Sequence, residues 1–313
     1  MHLSLLIGLG SGLASALLFF SAAQGGGWLG LLLFCLTPFP PLLAGLGWGW
    51  LSAAAGALAG SIAVAAISSG TLGIGYFLAV GFPVALITYL AYLSRPLDDG
   101  REWYPLGRLL AVLALYAGAL PVMALAWTGG TFEGLRPVAT AIVKAVISQS
   151  ADSRRQPSDD QQVELIADLA VAVAPAAMAA YWLLILTPNL YLAGRVVGAS
   201  GRLGRDWPDL PGFAYPTGFS LLLGLALLAS LAPGVVGIAG TSFTGALMFA
   251  HLLAGLALVH FLAQRSGARW LLWAVYAGLF LLQPYGTVFV TVAGLLEPIL
   301  KLKQRLGAPP PSN

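Results

Sequence analysis

The chain has 313 residues, of which 58% are hydrophobic and only 9% are charged, and its mean hydropathy is +0.86. Soluble globular chains carry about 25% charged residues, so this composition excludes a soluble domain and predicts a protein embedded in a lipid bilayer. The formal net charge of +3 comes from basic residues in short turns between apolar runs, a pattern that indicates membrane topology and excludes a nucleic-acid-binding patch.

Apolar runs fill the chain up to Arg95, the first charged residue, and predict four membrane-spanning helices of about 20 residues each. We place them at residues 3–23, 28–47, 51–68 and 71–93. The first run lacks a preceding Lys or Arg and exceeds a secretory signal core, so we interpret it as a retained span. The single cysteine, Cys35, excludes a disulfide framework or a multi-cysteine metal site within one chain.

Small residues at four-residue spacing form one face on each of two predicted helices. They are Gly8, Gly12 and Ala16 in the first span and Gly56 and Gly60 in the third. Such faces let two helix backbones approach closely. We therefore predict that each face packs against another helix, either within the bundle or in a partner protein.

The second span contains the closely spaced prolines Pro38, Pro40 and Pro41. Proline has no N–H group, so several carbonyl groups in this span lose their helical donors and the helix must bend or break. Irregular backbone at membrane depth is tolerated only where protein or a water-filled cavity supplies the missing partners. We expect other groups to reach this break.

A fifth span is predicted at 106–127, and the longest hydrophilic segment of the chain follows at 128–164. Within that segment a polar stripe of Arg136, Thr140 and Lys144 lies opposite an apolar face, which predicts an amphipathic helix in the membrane interface. The apolar face consists of Leu135, Val138, Ala139, Ile142, Val143 and Val146. Residues 148–162 have almost no apolar side chains and predict an exposed, mobile loop.

The remaining spans are predicted at 165–192, with a bend at Pro175, at 215–231, at 243–263 and in an apolar run at 270–300 that is interrupted at 283–286. A charge-free turn around Pro233 and Gly237 separates two of them. The predicted fold is an all-α, polytopic transmembrane helical bundle with one interfacial helix. Its parts are an N-terminal membrane block at 1–127, the hydrophilic segment at 128–164, a C-terminal membrane block at 165–300 and a basic tail at 301–313.

Eleven of the fifteen Lys and Arg residues lie in the turns at 95–108, 195–214 and 265–269 and in the tail. The positive-inside rule places all four regions in the cytoplasm if the run at 270–300 is a hairpin that turns at Pro284. This interpretation, which we prefer, gives about ten spans, with both termini in the cytoplasm and 128–164 outside. The alternative has nine spans, with one kinked last helix and the tail outside.

Few ionisable residues fall within the apolar runs. We interpret Asp168 as an interface residue at a helix start and Glu297 as an i,i+4 partner of Lys301. His251 and His260 are about half a turn out of phase on one helix, so they do not ligate one metal from the same face. Each is interpreted as a hydrogen-bonded packing or interface residue, with a ligand or proton-transfer role as the alternative.

Neutral polar groups at membrane depth are the candidate ligand-binding residues. They are Asn189, Tyr191, Gln283 and Tyr285, with Trp127 and Trp182 near the ends of spans. Such groups suit a small neutral or zwitterionic ligand. Alternatively, Asn189 caps a helix end, Gln283 and Tyr285 form a turn, and the tryptophans belong to the interfacial belt. The sequence contains no catalytic motif, so we expect no enzymatic activity, no metal and no cofactor.

The C-terminal third resembles a family of uncharacterised bacterial membrane proteins known only as a domain of unknown function. The resemblance rests on His251, Gly255 and His260, then on Arg265, two short apolar arms and the stretch from Gly294 to Glu297 before Lys301 and Arg305. The prolines of the second span, the Gly-Phe-Pro at 81–83 and the stretch at 189–195 fit the same pattern. Such proteins usually have an aspartate where this chain has Glu297.

That family is similar to the substrate-binding S components of energy-coupling factor transporters. The similarity implies that Gly8, Gly12 and Ala16 dock a transmembrane coupling protein associated with ATPases, and that 128–164 is a lid over an outward pocket. About ten spans exceed the six of a typical S component. Two functions follow as expectations for a protein of the bacterial inner membrane: a substrate-binding transport subunit, or a non-transporting envelope scaffold or assembly protein that binds other membrane proteins.

Overall fold

A computed structural model describes residues 2–98, 100–128, 134, 136–150 and 160–307. The helices are, in chain order, α1 (His2–Gln24), α2 (Gly27–Cys35), α3 (Phe39–Trp48), α4 (Trp50–Ile67), α5 (Gly70–Tyr76), a π-helical stretch (Phe77–Gly81), α6 (Phe82–Tyr92), α7 (Leu106–Thr128), α8 (Arg136–Ser150), α9 (Asp160–Ala199), α10 (Phe219–Ser230), α11 (Gly234–Ser266), α12 (Trp270–Leu281), α13 (Tyr285–Leu300) and α14 (Leu302–Gly307). Within these ranges, seven helical segments are long and apolar enough to cross a membrane, and α10, α12 and α13 are shorter apolar helices. The predicted all-α, polytopic membrane fold is confirmed.

Two compact units divide the chain, and their segments alternate along it. The first unit comprises Met1–Ala114, Trp182–Ser220 and Met248–Asn313. The second unit comprises Leu115–Tyr181 and Leu221–Leu247. Because α7, α9, α10 and α11 each contribute residues to both, the units share continuous helices.

In the first unit, α1 and α4 run parallel with their small-residue faces in contact. A Cβ atom at Gly8 would overlap the carbonyl oxygen of Ser52, and one at Gly12 would overlap that of Gly56. Gly60 continues the contact, since its Cβ would lie 2.9 Å from the carbonyl oxygen of Gly12. This face of α1 therefore packs against α4 within the bundle, one of the two possibilities that the sequence predicts.

The predicted break at the prolines of the second span is confirmed between α2 and α3. In an uninterrupted helix the N–H group of Phe39 would bond to Cys35, but it donates to Leu36 at 3.0 Å. The carbonyl of Cys35 accepts from the side-chain amide of Asn189 at 2.8 Å. Pro41 likewise deprives Thr37 of a donor, and the hydroxyl of Ser15 bonds to the Thr37 carbonyl. Protein groups therefore satisfy this break, as expected.

The π-helical stretch before α6 also follows from a proline. Pro83 offers no N–H group to Ala79, the residue four positions earlier. The indole N–H of Trp182 donates to the Ala79 carbonyl at 2.7 Å and replaces the missing bond. Trp182 is therefore an interior hydrogen-bonding residue, which corrects its assignment to the interfacial belt.

A two-stranded antiparallel hairpin, β1 (Ser94–Leu97) and β2 (Gly100–Trp103), forms the turn between α6 and α7. These strands are not predicted from the sequence. Arg95 faces Glu102 across the pair and forms an ion pair with it. Pro96 stops the preceding helix, and the pairing then satisfies the backbone of this short turn.

In the second unit, α10 and α11 are closer together than predicted. The helix α11 begins at Gly234, so most of the expected turn around Gly237 is helical. A Cβ atom at Gly237 would overlap the carbonyl oxygen of Ala232, and one at Gly240 would overlap the backbone of Ser230. These glycines permit close packing of α11 against the end of α10 and the turn after it, whereas Gly237 is predicted to lie in a turn.

The helix α9 is longer than predicted and extends in both directions. It begins at Asp160 and runs through Pro175 and Asn189 to Ala199. Asn189 therefore lies inside a helix, which corrects its interpretation as a cap. Asp168 also lies inside α9, and its carboxylate pairs with Arg136 of α8 at 2.7 Å, so its interpretation as a helix-start residue is wrong.

The amphipathic helix predicted in the hydrophilic segment is confirmed as α8. Leu135 and residues 151–159 of the predicted loop lie outside the described residues, as do the side chains of Val138 and Val146. Residues 148–150 and 160–162 belong to α8 and α9, so the loop prediction is wrong at both of its ends.

Candidate functional site

The first unit contains a cavity of about 720 Å³. Its walls come from the second half of α9, the segment at 203–213, the C-terminal half of α11 and the first turns of α7. Most of its lining side chains are apolar. The polar and charged ones that matter chemically are Tyr191, Arg195, Arg205, Trp207, Asp209, His260 and Gln264.

The segment at 203–213 is held against the bundle at both ends. At the start, the backbone N–H of Gly204 donates to the hydroxyl of Tyr92 at 3.3 Å, and that hydroxyl donates to the carbonyl of Leu46. At the other end, the ammonium group of Lys303 donates to the carbonyl of Phe213 at 2.8 Å. These bonds fix a non-helical, proline-containing segment as one wall of the cavity.

Lys303 is relevant to the predicted pairing of Glu297 with Lys301. Burial lowers the pKa of Lys303, and the negative charges of Glu297 and then Asp209 oppose that shift. Lys301 forms only a backbone bond to the carbonyl of Glu297, at 2.8 Å, among the contacts described for it. The charge of Glu297 therefore acts on Lys303, and among the described residues no ion pair within 4 Å joins Glu297 to Lys301, the predicted i,i+4 partner.

Residues before and after the break at 283–286 lie beside this cavity. Tyr276 of α12 lines it and contacts the ring of His260, with 5.9 Å between ring centroids. Lys303, which follows α13, contacts Phe213, another lining residue. Because the run leaves and returns to the same end of the first unit, its placement favours the predicted hairpin over a single kinked helix.

Arg205 brings a half-buried positive charge to the cavity. Its Nη1 donates to the carbonyl of Ala91 at 2.7 Å, its Nε donates to the carbonyl of Asp206 at 3.3 Å, and its guanidinium lies 5.7 Å from the ring centroid of Trp103. Burial lowers the pKa of Arg205, whereas Tyr92 and Asp206 raise it. Among the described residues, no carboxylate forms an ion pair with this guanidinium.

Arg195 lies one helical turn after Tyr191 on α9. Its Nη1 is 3.5 Å from the hydroxyl of Tyr191, and its guanidinium lies 6.0 Å from that ring centroid. No ion pair joins Arg195 to a carboxylate in the part of the chain that the structure describes. The cavity therefore has two arginines whose charges are not neutralised by a bonded acid.

Trp207 is placed by a glycine. A Cβ atom at Gly194 would overlap the six-membered ring of Trp207, so only glycine lets this indole lie against α9. The atoms that approach Gly194 are on the edge of the indole opposite its N–H group. That N–H is buried and has no hydrogen-bond partner among the described residues.

The two histidines have different surroundings. In His260, Nδ1 is 2.9 Å from the carbonyl of Leu256, and since a carbonyl only accepts, this nitrogen carries the proton. In His251, which is buried, Nε2 lies 3.1 Å from the hydroxyl of Ser220 and the ring stacks on Phe219. His251 is a packing residue, whereas His260 lines the cavity.

The structure separates the four predicted ligand-binding residues. Tyr191 lines the cavity, but Asn189 is buried and bonds to Cys35. Gln283 bonds to Leu279 and to Thr287, and neither it nor the exposed Tyr285 lines the cavity. Only Tyr191 of this set therefore belongs to the site.

Sequence reasoning missed Arg195, Arg205, Trp207 and His260 as members of one site. The arginines match the positive-inside pattern equally well, and that pattern contains no information about depth. A usable signal is the occurrence of Trp207 and Pro208 between Asp206 and Asp209 in the basic turn at 195–214.

Comparisons with known proteins place the chain in a family without assigning an activity. Neither a curated protein nor a solved structure matches it. The family model described as "Predicted membrane protein (DUF2232)" matches residues 13–297, which include every helix that lines the cavity. The chain therefore belongs to the DUF2232 family of predicted membrane proteins.

Proposed function

We propose that this protein is a ligand-binding subunit of a membrane transport system and that the cavity beside α9 and α11 binds its ligand. The observation that carries the proposal is the cavity itself, whose volume of about 720 Å³ falls within the range of small-molecule sites. Mostly apolar walls with a few polar groups are also typical of such sites. The ligand that suits them is amphipathic.

The position of the cavity supports binding from the cytoplasmic side. Its polar groups include Arg195 and Arg205, and the flanking turn also contains Arg202. Basic turns of this kind face the cytoplasm in the bacterial inner membrane, where we also place both termini. This proposal replaces the outward pocket expected from the resemblance to S components with an inward one.

The transport role rests on the scarcity of ionisable groups inside the spans. Proton- and ion-coupled transporters use charged residues at membrane depth. Of the two acidic residues within the apolar runs here, Asp168 forms an ion pair with Arg136, and the charge of Glu297 acts on Lys303. A subunit of this kind would draw its energy from a transmembrane coupling protein and its ATPases.

The test is mass spectrometry of the small molecules that co-purify with the full chain in a mild detergent. Leu253→Trp and Leu256→Trp, each of which fills the cavity from the α11 wall, should remove the bound amphiphile. Leu252→Trp, on the same helix but not lining the cavity, is the matched control and should retain it. Identical extracts from all four proteins would refute the cavity as a ligand site.

A further inference from the structure

We propose that the ligand is a membrane lipid with a singly charged anionic head group, which Arg195 and Arg205 bind. The inference rests on the proposed function and names the class of ligand. It is argued from three features of the cavity: unneutralised arginines, an unused indole donor and apolar walls.

The first feature is the charge of the lining. Arg195 and Arg205 contribute two positive charges and Asp209 contributes one negative charge, so the lining has one positive charge in excess when His260 is neutral. The half-buried Arg205 interacts with the charge of Asp206 but forms no ion pair with a described carboxylate, and the exposed Arg195 forms none either. Both guanidinium groups can therefore form charge-assisted hydrogen bonds to an anion. Because a single excess charge requires a single negative charge, a phosphodiester or carboxylate fits better than a phosphomonoester.

The second feature is the set of donors that remains available. The Nη1 and Nε atoms of Arg205 donate to the carbonyls of Ala91 and Asp206, respectively. This leaves Nη2 without a hydrogen bond among the described residues. The buried N–H of Trp207 is also unused. A buried donor without a partner destabilises the protein, and an anionic oxygen is the strongest acceptor that could satisfy it.

The third feature distinguishes a lipid from a free anion. Leu106, Leu109, Leu110, Leu253, Leu256 and Ala257 form an apolar region of the same cavity. A free phosphate or a phosphorylated sugar would leave this region uncovered. A lipid places its head group on the arginines and the adjacent part of its chains on the leucines, which removes apolar surface from water.

The experiment is a binding titration of the full chain in detergent, monitored by native mass spectrometry, with three probes. Dioleoylphosphatidylglycerol has the singly charged phosphodiester and the chains, dioleoylglycerol has the chains without the charge, and glycerophosphoglycerol has the head group without the chains. Phosphatidylglycerol is expected to bind at least about tenfold more tightly than either other probe, since a charge-assisted hydrogen bond is worth that factor or more.

Variants assign the binding to these residues. Arg195→Gln should weaken phosphatidylglycerol binding about tenfold, and Gly194→Ala, which displaces Trp207, should also weaken it. The matched controls are Arg202→Gln, whose guanidinium lies over Trp48 at 4.9 Å and does not line the cavity, and Gly198→Ala, whose Cβ makes only an ordinary contact of 3.8 Å with Leu203. Melting temperatures verify that each variant is folded.

The outcomes separate this inference from the proposed function. If dioleoylglycerol binds as tightly as phosphatidylglycerol and Arg195→Gln has no effect, the anionic head group is refuted while amphiphile binding stands. If glycerophosphoglycerol binds equally well, the ligand is a soluble anion and the lipid is refuted. If no probe binds but the wild-type protein co-purifies with an amphiphile that Leu253→Trp lacks, the lipid class is wrong. If no probe binds and no amphiphile is lost from Leu253→Trp, both proposals fail.

Discussion

The side-chain amide of Asn189 donates to the backbone carbonyl of Cys35 at 2.8 Å and so joins α9 to the proline break between α2 and α3. A second bond from the same nitrogen reaches the carbonyl of Ile185, also at 2.8 Å. Asn189 thus repairs a defect that the prolines create, because the carbonyl of Cys35 has lost its own helical donor. The amide nitrogen of Asn189 at membrane depth therefore has a structural explanation without a ligand.

Asn189→Leu should destabilise the protein by about 1–3 kcal/mol, because it removes the side-chain hydrogen bond to the partly buried carbonyl of Cys35. Thermal unfolding in detergent measures the effect. Thr187→Val is the control on the same helix, since its hydroxyl bonds at 2.8 Å to Leu183, whose carbonyl also accepts the helical N–H. Equal melting temperatures for Asn189→Leu and the wild type would contradict this role.

Ser15 and Tyr76 form a buried chain of hydrogen bonds that ends at the same break. The single proton of the Ser15 hydroxyl goes to the carbonyl of Thr37, so the hydroxyl of Tyr76 must donate to Ser15. We expect Ser15→Ala and Tyr76→Phe each to lower stability, and their double-mutant cycle to show coupling of about 0.5–1.5 kcal/mol. Strict additivity of the two changes in unfolding free energy would contradict the hydrogen bond between Ser15 and Tyr76.

Gly12→Leu should separate α1 from α4, because even a Cβ atom there overlaps the backbone of Gly56. Overpacking of this kind costs about 1–3 kcal/mol or more, and it should lower both the melting temperature and the yield of folded protein. Gly10→Leu is the matched control, since a Cβ at Gly10 meets nothing within 4 Å. A similar loss in both variants would show that the added hydrophobic bulk alone is harmful.

Topology can be tested with a cysteine-free background, Cys35→Ala, and a membrane-impermeant maleimide. Arg202→Cys should stay unlabelled in cells whose outer barrier is opened, whereas Thr140→Cys on α8 should react. A fluorescent protein fused after Asn313 should fluoresce, as expected for a cytoplasmic tail. Labelling of Arg202→Cys, or a dark fusion with an active periplasmic reporter in its place, would reverse the proposed orientation.

Local chemistry predicts the break in the second span, because the absence of an N–H group in Pro38, Pro40 and Pro41 is a property of the residues themselves. The donors that repair it were not predictable, since Ser15 and Asn189 reach it only through the packing of distant helices. The ends of helices are likewise difficult to predict from the sequence. Apolar composition places a span at 165–192, whereas the polar first turns of α9 are helical as well.

The cavity was less accessible to sequence reasoning than the fold. Arg195 and Arg205 satisfy a topology rule that counts charges without reference to their depth. Their role depends on the non-helical segment at 203–213, which Tyr92 and Lys303 hold in place. Gly194 is the clearest example of a residue whose role is hidden in the sequence. Position 194 must be glycine because Trp207, a residue in a different structural element, lies against it.

The parallel contact between α1 and α4 has a consequence for biosynthesis. The first helix enters the membrane long before its partner leaves the ribosome, and α2 and α3 must be threaded in the opposite direction in between. During that interval Gly8 and Gly12 have no α4 backbone to meet. Nascent polypeptides that end before residue 60 should therefore be short-lived substrates of membrane quality-control proteases.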